Sequence, residues 1–195
     1  MYKIFNKNTF KELEKYYWNA NDNQKLAIEI YTYPKASKII NNFLRHNYPI
    51  KPLIVNNKMI DKEKFKTVIY ILNEITKINR LNENTILFRG LNHGKFIEEW
   101  IKNNTIIENG FCSTSFDKEV ALNYIDNDLD NNWLVEIYAS KNTIGCFTEQ
   151  YSIYDKELEF LLPKNIIFEI FKIKNNIIKV FIKNIYNNKN KIISN

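Results

Sequence analysis

The residue pattern predicts an α+β fold, helices first and strands after, on three observations. Apolar residues recur at helical spacing in the first part of the chain. Short runs rich in Ile, Phe and Val follow from about Thr85. Strands and helices do not alternate as they would in a parallel α/β domain. A chain of 195 residues builds one compact unit with a sizeable core. Residues 1–82 are therefore expected to be mainly helical, 83–187 β-rich, and the polar 188–195 a frayed tail, all within a single domain.

Asn8 or Thr9 can cap a first helix carrying Phe10, Leu13, Tyr16 and Tyr17 on one face. Asp22 opens a second, with Leu26, Ala27 and Ile28 as its apolar stretch. Pro34 suits the first turn of a third, in which Ile39, Ile40, Phe43 and Leu44 recur at helical spacing. After a break at Pro49 and Pro52, Asp61 starts a long amphipathic helix with Phe65, Val68, Ile69, Leu72 and Ile75 as its buried stripe. Strands are expected at 85–89, 133–138, 157–162, 166–173 and 177–185, with helices around 96–101 and 117–124. Trp18, Trp100 and Trp133 read as core, and His46 and His93 as surface or cap residues.

The net charge of +6 comes from a Lys-, Asn- and Ile-rich composition of the kind AT-rich codon usage produces. A basic surface favours anionic partners such as a dinucleotide or an acidic protein face. No Lys/Arg block is dense enough for a basic tail, which argues against nucleic acid. The high aromatic share argues against disorder. Cys112 and Cys146 lie in apolar contexts without metal-ligand spacing and are expected to be reduced, buried thiols. No metal site is expected. The start of the chain lacks the apolar stretch of a signal peptide, and no run reaches transmembrane length. The expected place of action is a cytosol, that of its own cell or of a host.

Three short motifs carry candidate chemistry. In Leu87-Phe88-Arg89-Gly90 a strand ends in a guanidinium whose planar fork matches phosphate or carboxylate oxygens, and the glycine allows close backbone approach. In Cys112-Ser113-Thr114-Ser115-Phe116-Asp117 small hydroxyl residues precede a helix that Ser115 or Asp117 can cap, and Ser113 can fix a carboxylate or a sugar hydroxyl. In Glu157-Leu158-Glu159 two carboxylates two residues apart share one face of an extended chain, with Leu158 and Phe160 toward the core. Taken singly, each has a bland explanation: a solvated Arg, a helix cap, a polar outer face.

Their order is rarer. Arg89, then Ser-Thr-Ser roughly two dozen residues on, then Glu-x-Glu roughly forty beyond, resembles the bacterial toxin-like mono-ADP-ribosyltransferases of the Arg, Ser-Thr-Ser, Glu-x-Glu class. Ile30-Tyr31-Thr32 and Ile39-Ile40-Asn41-Asn42-Phe43-Leu44-Arg45 resemble that family's N-terminal helical segment, which carries a Tyr, an Asn and an Arg at the mouth of the NAD cleft. Phe160-Leu161-Leu162-Pro163 resembles its strand after the glutamates. The likeness runs from about Tyr31 to Phe171; the loop between Ile144 and Tyr154 has no match.

The resemblance implies a helical segment packed on a core of two antiparallel or mixed sheets, with NAD as substrate and no metal. By the same likeness, Arg89 and Arg45 would clamp the pyrophosphate and Gly90 would hold the nicotinamide amide. Glu159, oriented by Ser113, would stabilise the ribosyl cation as nicotinamide leaves. Glu157 would contact an incoming guanidinium and take its proton, because a Glu in this first position accompanies arginine acceptors in the family. Tyr31 and Asn41 would help bind NAD, and Tyr154 would touch the target protein. Actin and small GTPases are candidate targets because relatives modify them. A monomer with no membrane partner is expected. Two other readings stand beside this one: an NAD glycohydrolase using the same site, and a non-catalytic protein-binding module on the same fold.

Overall fold

The computed structural model describes residues 1–5, 10–92, 95–125, 132–187 and 191–193. The expected cap at Asn8 or Thr9 and the reading of His93 lie outside them. Helices α1 (Phe10–Leu13), α2 (Asp22–Thr32), α3 (Pro34–His46) and α4 (Lys62–Ile75) come first, α4 preceded by a hairpin of β1 (Leu53–Val55) and β2 (Lys58–Ile60). Then follow β3 (Asn79–Arg80), β4 (Thr85–Leu91), α5 (Lys95–Asn103), β5 (Thr105–Glu108), β6 (Cys112–Ser115) and α6 (Lys118–Asn123). The chain continues through β7 (Trp133–Ala139), β8 (Ile144–Phe147), β9 (Glu159–Leu162), β10 (Ile166–Lys174), β11 (Ile177–Asn187) and β12 (Lys191–Ile193). None of the described helices is long and apolar enough to cross a membrane.

Local chemistry sets most boundaries. Asn21 and Gln24 form a capping box that starts α2. Pro34 opens α3 at a position whose N–H would be unsatisfied anyway, and Asn47, left-handed at φ 54°, closes it. Asp61 and Asp117 cap α4 and α6 by accepting the N–H groups of Lys64 and Glu119. The β1–β2 and β10–β11 connections turn through Asn56-Asn57 and Asn175-Asn176, all at positive φ, the hairpin conformation Asn tolerates better than most residues.

Among the described residues the sheet has ten strands in the order β3-β8-β9-β6-β4-β7-β11-β10-β5, with β12 on β11. Among the named strands β7 and β11 pair in parallel, and Lys3 bridges to Thr85 at the start of β4 in the same sense. Two halves meet where β4 and β6 share a single backbone pair, Phe88 with Ser115; these are the two expected sheets, joined edge to edge. Period-two alternation gives the β8-β9-β6 half two apolar faces. Cys146, Leu161 and nearby Phe111 face Ile28, Ile40, Phe65 and Leu72 of the helices. Phe147, Phe160, Leu162 and Cys112 face the larger core under the other half-sheet, which also takes in Phe5, Leu13 and Tyr16.

Several expectations need correction. The first helix stops after one turn and a tight 3₁₀ turn, so Tyr17 leaves in extended conformation, 39% exposed and stacked on Phe147. Leu26 is 40% exposed, outside the apolar face that Ala27 and Ile28 occupy. Trp18, Trp100 and Trp133 are partly buried at the margins of the cores. The strand expected from residue 157 starts at Glu159, because Leu158 is left-handed at φ 50°. Within the tail expected to fray, Lys191–Ile193 pair with β11. The cysteines are free and buried.

Gly145 on β8 lies under the Phe160 ring, and an added Cβ would sit 2.2 Å from Phe160 Cε1. That ring is fully buried against Phe116 and Tyr16. Gly145→Ala is therefore expected to destabilise the fold by about 1–3 kcal/mol, measured by urea titration; an unchanged midpoint would mean that the ring has room to move.

Candidate active site

Where β4 and β6 part beyond Phe88 and Ser115, a cleft of about 460 Å³ opens, within the size range of small-molecule sites. Helix α3 and the end of α2 form one wall, with Tyr31, Asn41 and Arg45. The end of β4 brings Arg89 and Gly90, β6 brings Ser113 and Ser115, and Tyr124 comes from the C-cap of α6. The approach to β9 supplies Tyr154, Glu157 and Glu159. Every site residue singled out in the sequence thus lines one cavity.

Glu159 is 5% exposed. Its Oε1 accepts the Ser113 hydroxyl, and its Oε2 accepts the Thr148 hydroxyl at 2.6 Å. Burial pushes the Glu159 carboxyl up from the ordinary range, while the two hydroxyls pull it back. Thr148 lies between Phe147 and Glu149 with nothing in the local pattern to single it out, and sequence reasoning missed it. Glu157 is half-buried and accepts the Tyr124 hydroxyl. Burial, with Glu159 and Glu149 nearby, raises it to about 7 against the opposing effect of the Tyr124 bond. Ser115 anchors the same segment by donating to the Glu157 carbonyl at 2.7 Å and accepts the Asp117 N–H at 3.0 Å.

The two arginines are organised by a residue that the sequence reading missed. Glu108, its side chain 7% exposed at the end of β5, takes a two-bond fork from Arg45, Nε to Oε1 at 2.8 Å and Nη2 to Oε2 at 2.7 Å. Arg89 Nη1 lies 3.6 Å from the same carboxylate and 2.8 Å from Cys112 Sγ. Glu108 also accepts the Gly110 N–H at 2.7 Å. The signal was available: Glu108 shares the inward register of Ile106, and an acid at an inward position needs a cation.

Tyr31 and Asn41 are buried in the wall rather than set at its mouth. Asn41 Nδ2 donates to the Tyr31 hydroxyl and its Oδ1 accepts the Phe111 N–H, tying α3 to the start of β6. At Gly90 a Cβ would lie 2.2 Å from the Ala121 carbonyl oxygen, so the missing side chain is what lets α6 pack over β4. Tyr154 is 41% exposed at the rim. His46 is exposed, its ring tilted against that of Tyr48.

A cationic pair backed by one acid, facing a carboxylate clamped between hydroxyls, is a site built for a ligand with both anionic and electron-deficient parts. The chain belongs to the ADP-ribosyltransferase exoenzyme family, whose model matches residues 3–195, and membership supports mono-ADP-ribosyltransferase activity. A search of curated protein sequences finds no match. Among solved structures, an ADP-ribosyltransferase from Clostridium botulinum is similar at 18% identity and TM-score 0.68, covering 93% of this chain and 98% of that one. A protein from S. aureus, solved with NAD, has 19% identity, TM-score 0.65 and coverage of 93% and 98%. The ADP-ribosyltransferase Vis, in complex with agmatine, has 19% identity, TM-score 0.63 and coverage of 90% and 80%.

Removing Glu108 leaves two guanidinium groups without their shared counter-charge. Glu108→Ala is expected to cost about 3 kcal/mol, the lower end of the range for breaking a buried pair, because Arg45 is partly solvated. Chemical denaturation checks this; a loss within about 0.5 kcal/mol, the scale of an ordinary surface substitution, would show that the network contributes no stability.

Proposed function

We propose that this protein transfers ADP-ribose from NAD to an arginine side chain of a target protein and releases nicotinamide. The observation that carries the reading is the contrast between the two acids in one cleft. Glu159 is buried and held by two hydroxyls, the preorganised carboxylate that a developing ribosyl cation requires. Glu157 is more accessible and titrates near neutrality, which suits a group that must accept a proton late, as the guanidinium nitrogen bonds to the ribose. Arg89, with Arg45, clamps the pyrophosphate; Gly90 offers its backbone to the nicotinamide amide; Glu159 also bonds the ribose 2′-hydroxyl. Tyr31 and Asn41 shape the wall against NAD, and Tyr154 contacts the target. The NAD in the S. aureus structure supports the donor. The agmatine bound in Vis, which carries the guanidinium of arginine, supports the acceptor.

Incubation with labelled NAD and a eukaryotic lysate, followed by mass spectrometry of labelled bands, tests the transfer; labelled ADP-ribose free in solution with no modified protein would make the chain an NAD glycohydrolase instead. Glu159→Ala is expected to abolish both transfer and NAD cleavage, Glu157→Gln to abolish transfer while cleavage persists, and Arg89→Ala to raise the KM for NAD. Full arginine modification by the Glu157 variant would contradict the assigned roles.

The pH profile follows from the same group. Below about 7 the Glu157 carboxyl is protonated and cannot accept the guanidinium proton; above it the carboxylate is free to do so. Transfer is therefore expected to rise as pH passes upward through about 7, with NAD cleavage lacking this limb. Rate measurements on both reactions between pH 5 and 9 check it, and parallel profiles would remove Glu157 from the transfer step.

A further inference from the structure

Glu157 sits between two non-glycine residues in the left-handed region, Lys156 at φ 67° and Leu158 at φ 50°. Residues with a Cβ disfavour this region, so the turn needs something to hold it. The holding group is Glu149, which is outside the cleft lining and belongs to none of the three sequence motifs. Its Oε1 accepts the Lys156 N–H and its Oε2 accepts the Leu158 N–H at 2.7 Å, with a further favourable interaction from the Glu157 N–H. Successive amides converging on one carboxylate form an anion-binding concavity, here filled by the chain's own side chain. Glu149 is anchored in turn: the Tyr151 and Ser152 N–H groups both donate to the Thr148 carbonyl, closing the turn on which it stands.

The neighbouring residue divides the labour. Thr148 grips the Glu159 carboxylate with its hydroxyl and donates its own N–H to the Glu159 carbonyl. Consecutive residues therefore hold the two acids by different means, Thr148 at the side chain of one and Glu149 at the backbone around the other.

We infer that Glu149 is the positioning residue of the acceptor step: it fixes the turn that presents Glu157 to the incoming nucleophile, without touching NAD or the acceptor. This rests on the acceptor role proposed for Glu157. It also explains how a strained segment stays in place without glycine on either side of the acid.

The test uses the full chain with agmatine as the acceptor probe, comparing Glu149→Ala, Glu149→Gln and Glu157→Gln with the unaltered protein. Glu149→Ala is expected to lower kcat for agmatine on the order of tenfold or more, as misplacement of a catalytic group does, with NAD cleavage and the KM for NAD unchanged. Glu149→Gln keeps the shape and one accepting oxygen and should fall between. In a carbon-13 NMR titration the Glu157 carboxyl midpoint, near 7 in the unaltered protein, should drop in both variants as a neighbouring negative charge is lost. Unimpaired agmatine transfer by Glu149→Ala while Glu157→Gln is inactive overturns the assignment and leaves the reading of Glu157 standing. Transfer retained by Glu157→Gln overturns that reading instead. Should agmatine accept no ADP-ribose from the unaltered chain, the NMR titration decides: a fixed Glu157 midpoint and unmoved Lys156 and Leu158 amide resonances in Glu149→Ala refute positioning.

Discussion

Among the described residues, β4 and β6 are joined by one backbone pair, Phe88 with Ser115, and the rest of the site depends on their parting. A continuous ladder would have closed the ground between them and filled it with side chains. Because the strands separate, Arg89 on one and Ser113 on the other border an open space instead of a packed interior. Gly90 keeps that divergence compatible with a covered sheet, since its bare backbone lets α6 rest on β4. The helical lobe closes the far side, held there by the Asn41–Phe111 and Arg45–Glu108 contacts.

The charges in the cleft are handled by local compensation. Glu159 is buried and held by two hydroxyl donors, with Arg89 a lesser influence in the same direction. The arginines are treated the opposite way, with Glu108 behind them fixing their orientation. Glu157 has neither arrangement in full, and its raised titration point reflects partial burial beside other acids. Three carboxylates in one region thus behave differently because their surroundings differ, although their chemistry is the same.

Much of this was legible in the sequence. Helix starts at Asp22, Pro34 and Asp61 were readable because capping and proline chemistry act locally. The long strands were readable from their Ile- and Phe-rich runs. The Arg, Ser and Glu motifs were readable as a set, since their spacing along the chain is what the strand order folds together. The β1–β2 hairpin was not legible, because Pro49 and Pro52 mark the segment as a break while its turn rests on the positive φ of Asn56-Asn57. β5, β6 and β8 are four residues each, too short for alternation to be distinguished from loop. Thr148 and Glu149 act through backbone groups or partners brought close by the fold, and such pairings have no local spacing to betray them, whereas Glu108 had only its inward register with Ile106 to mark it. Tyr17 differs for another reason: the helical spacing of apolar residues continues past the point where the helix itself ends.

The fork between Arg45 and Glu108 has a consequence for selectivity. Two guanidinium groups and one carboxylate leave this corner of the cleft with a single positive charge, so Glu108 acts as a resident competitor that any visiting anion must outbid. An anion that enters this corner is thereby selected by what it returns for the bonds it displaces, not by charge alone.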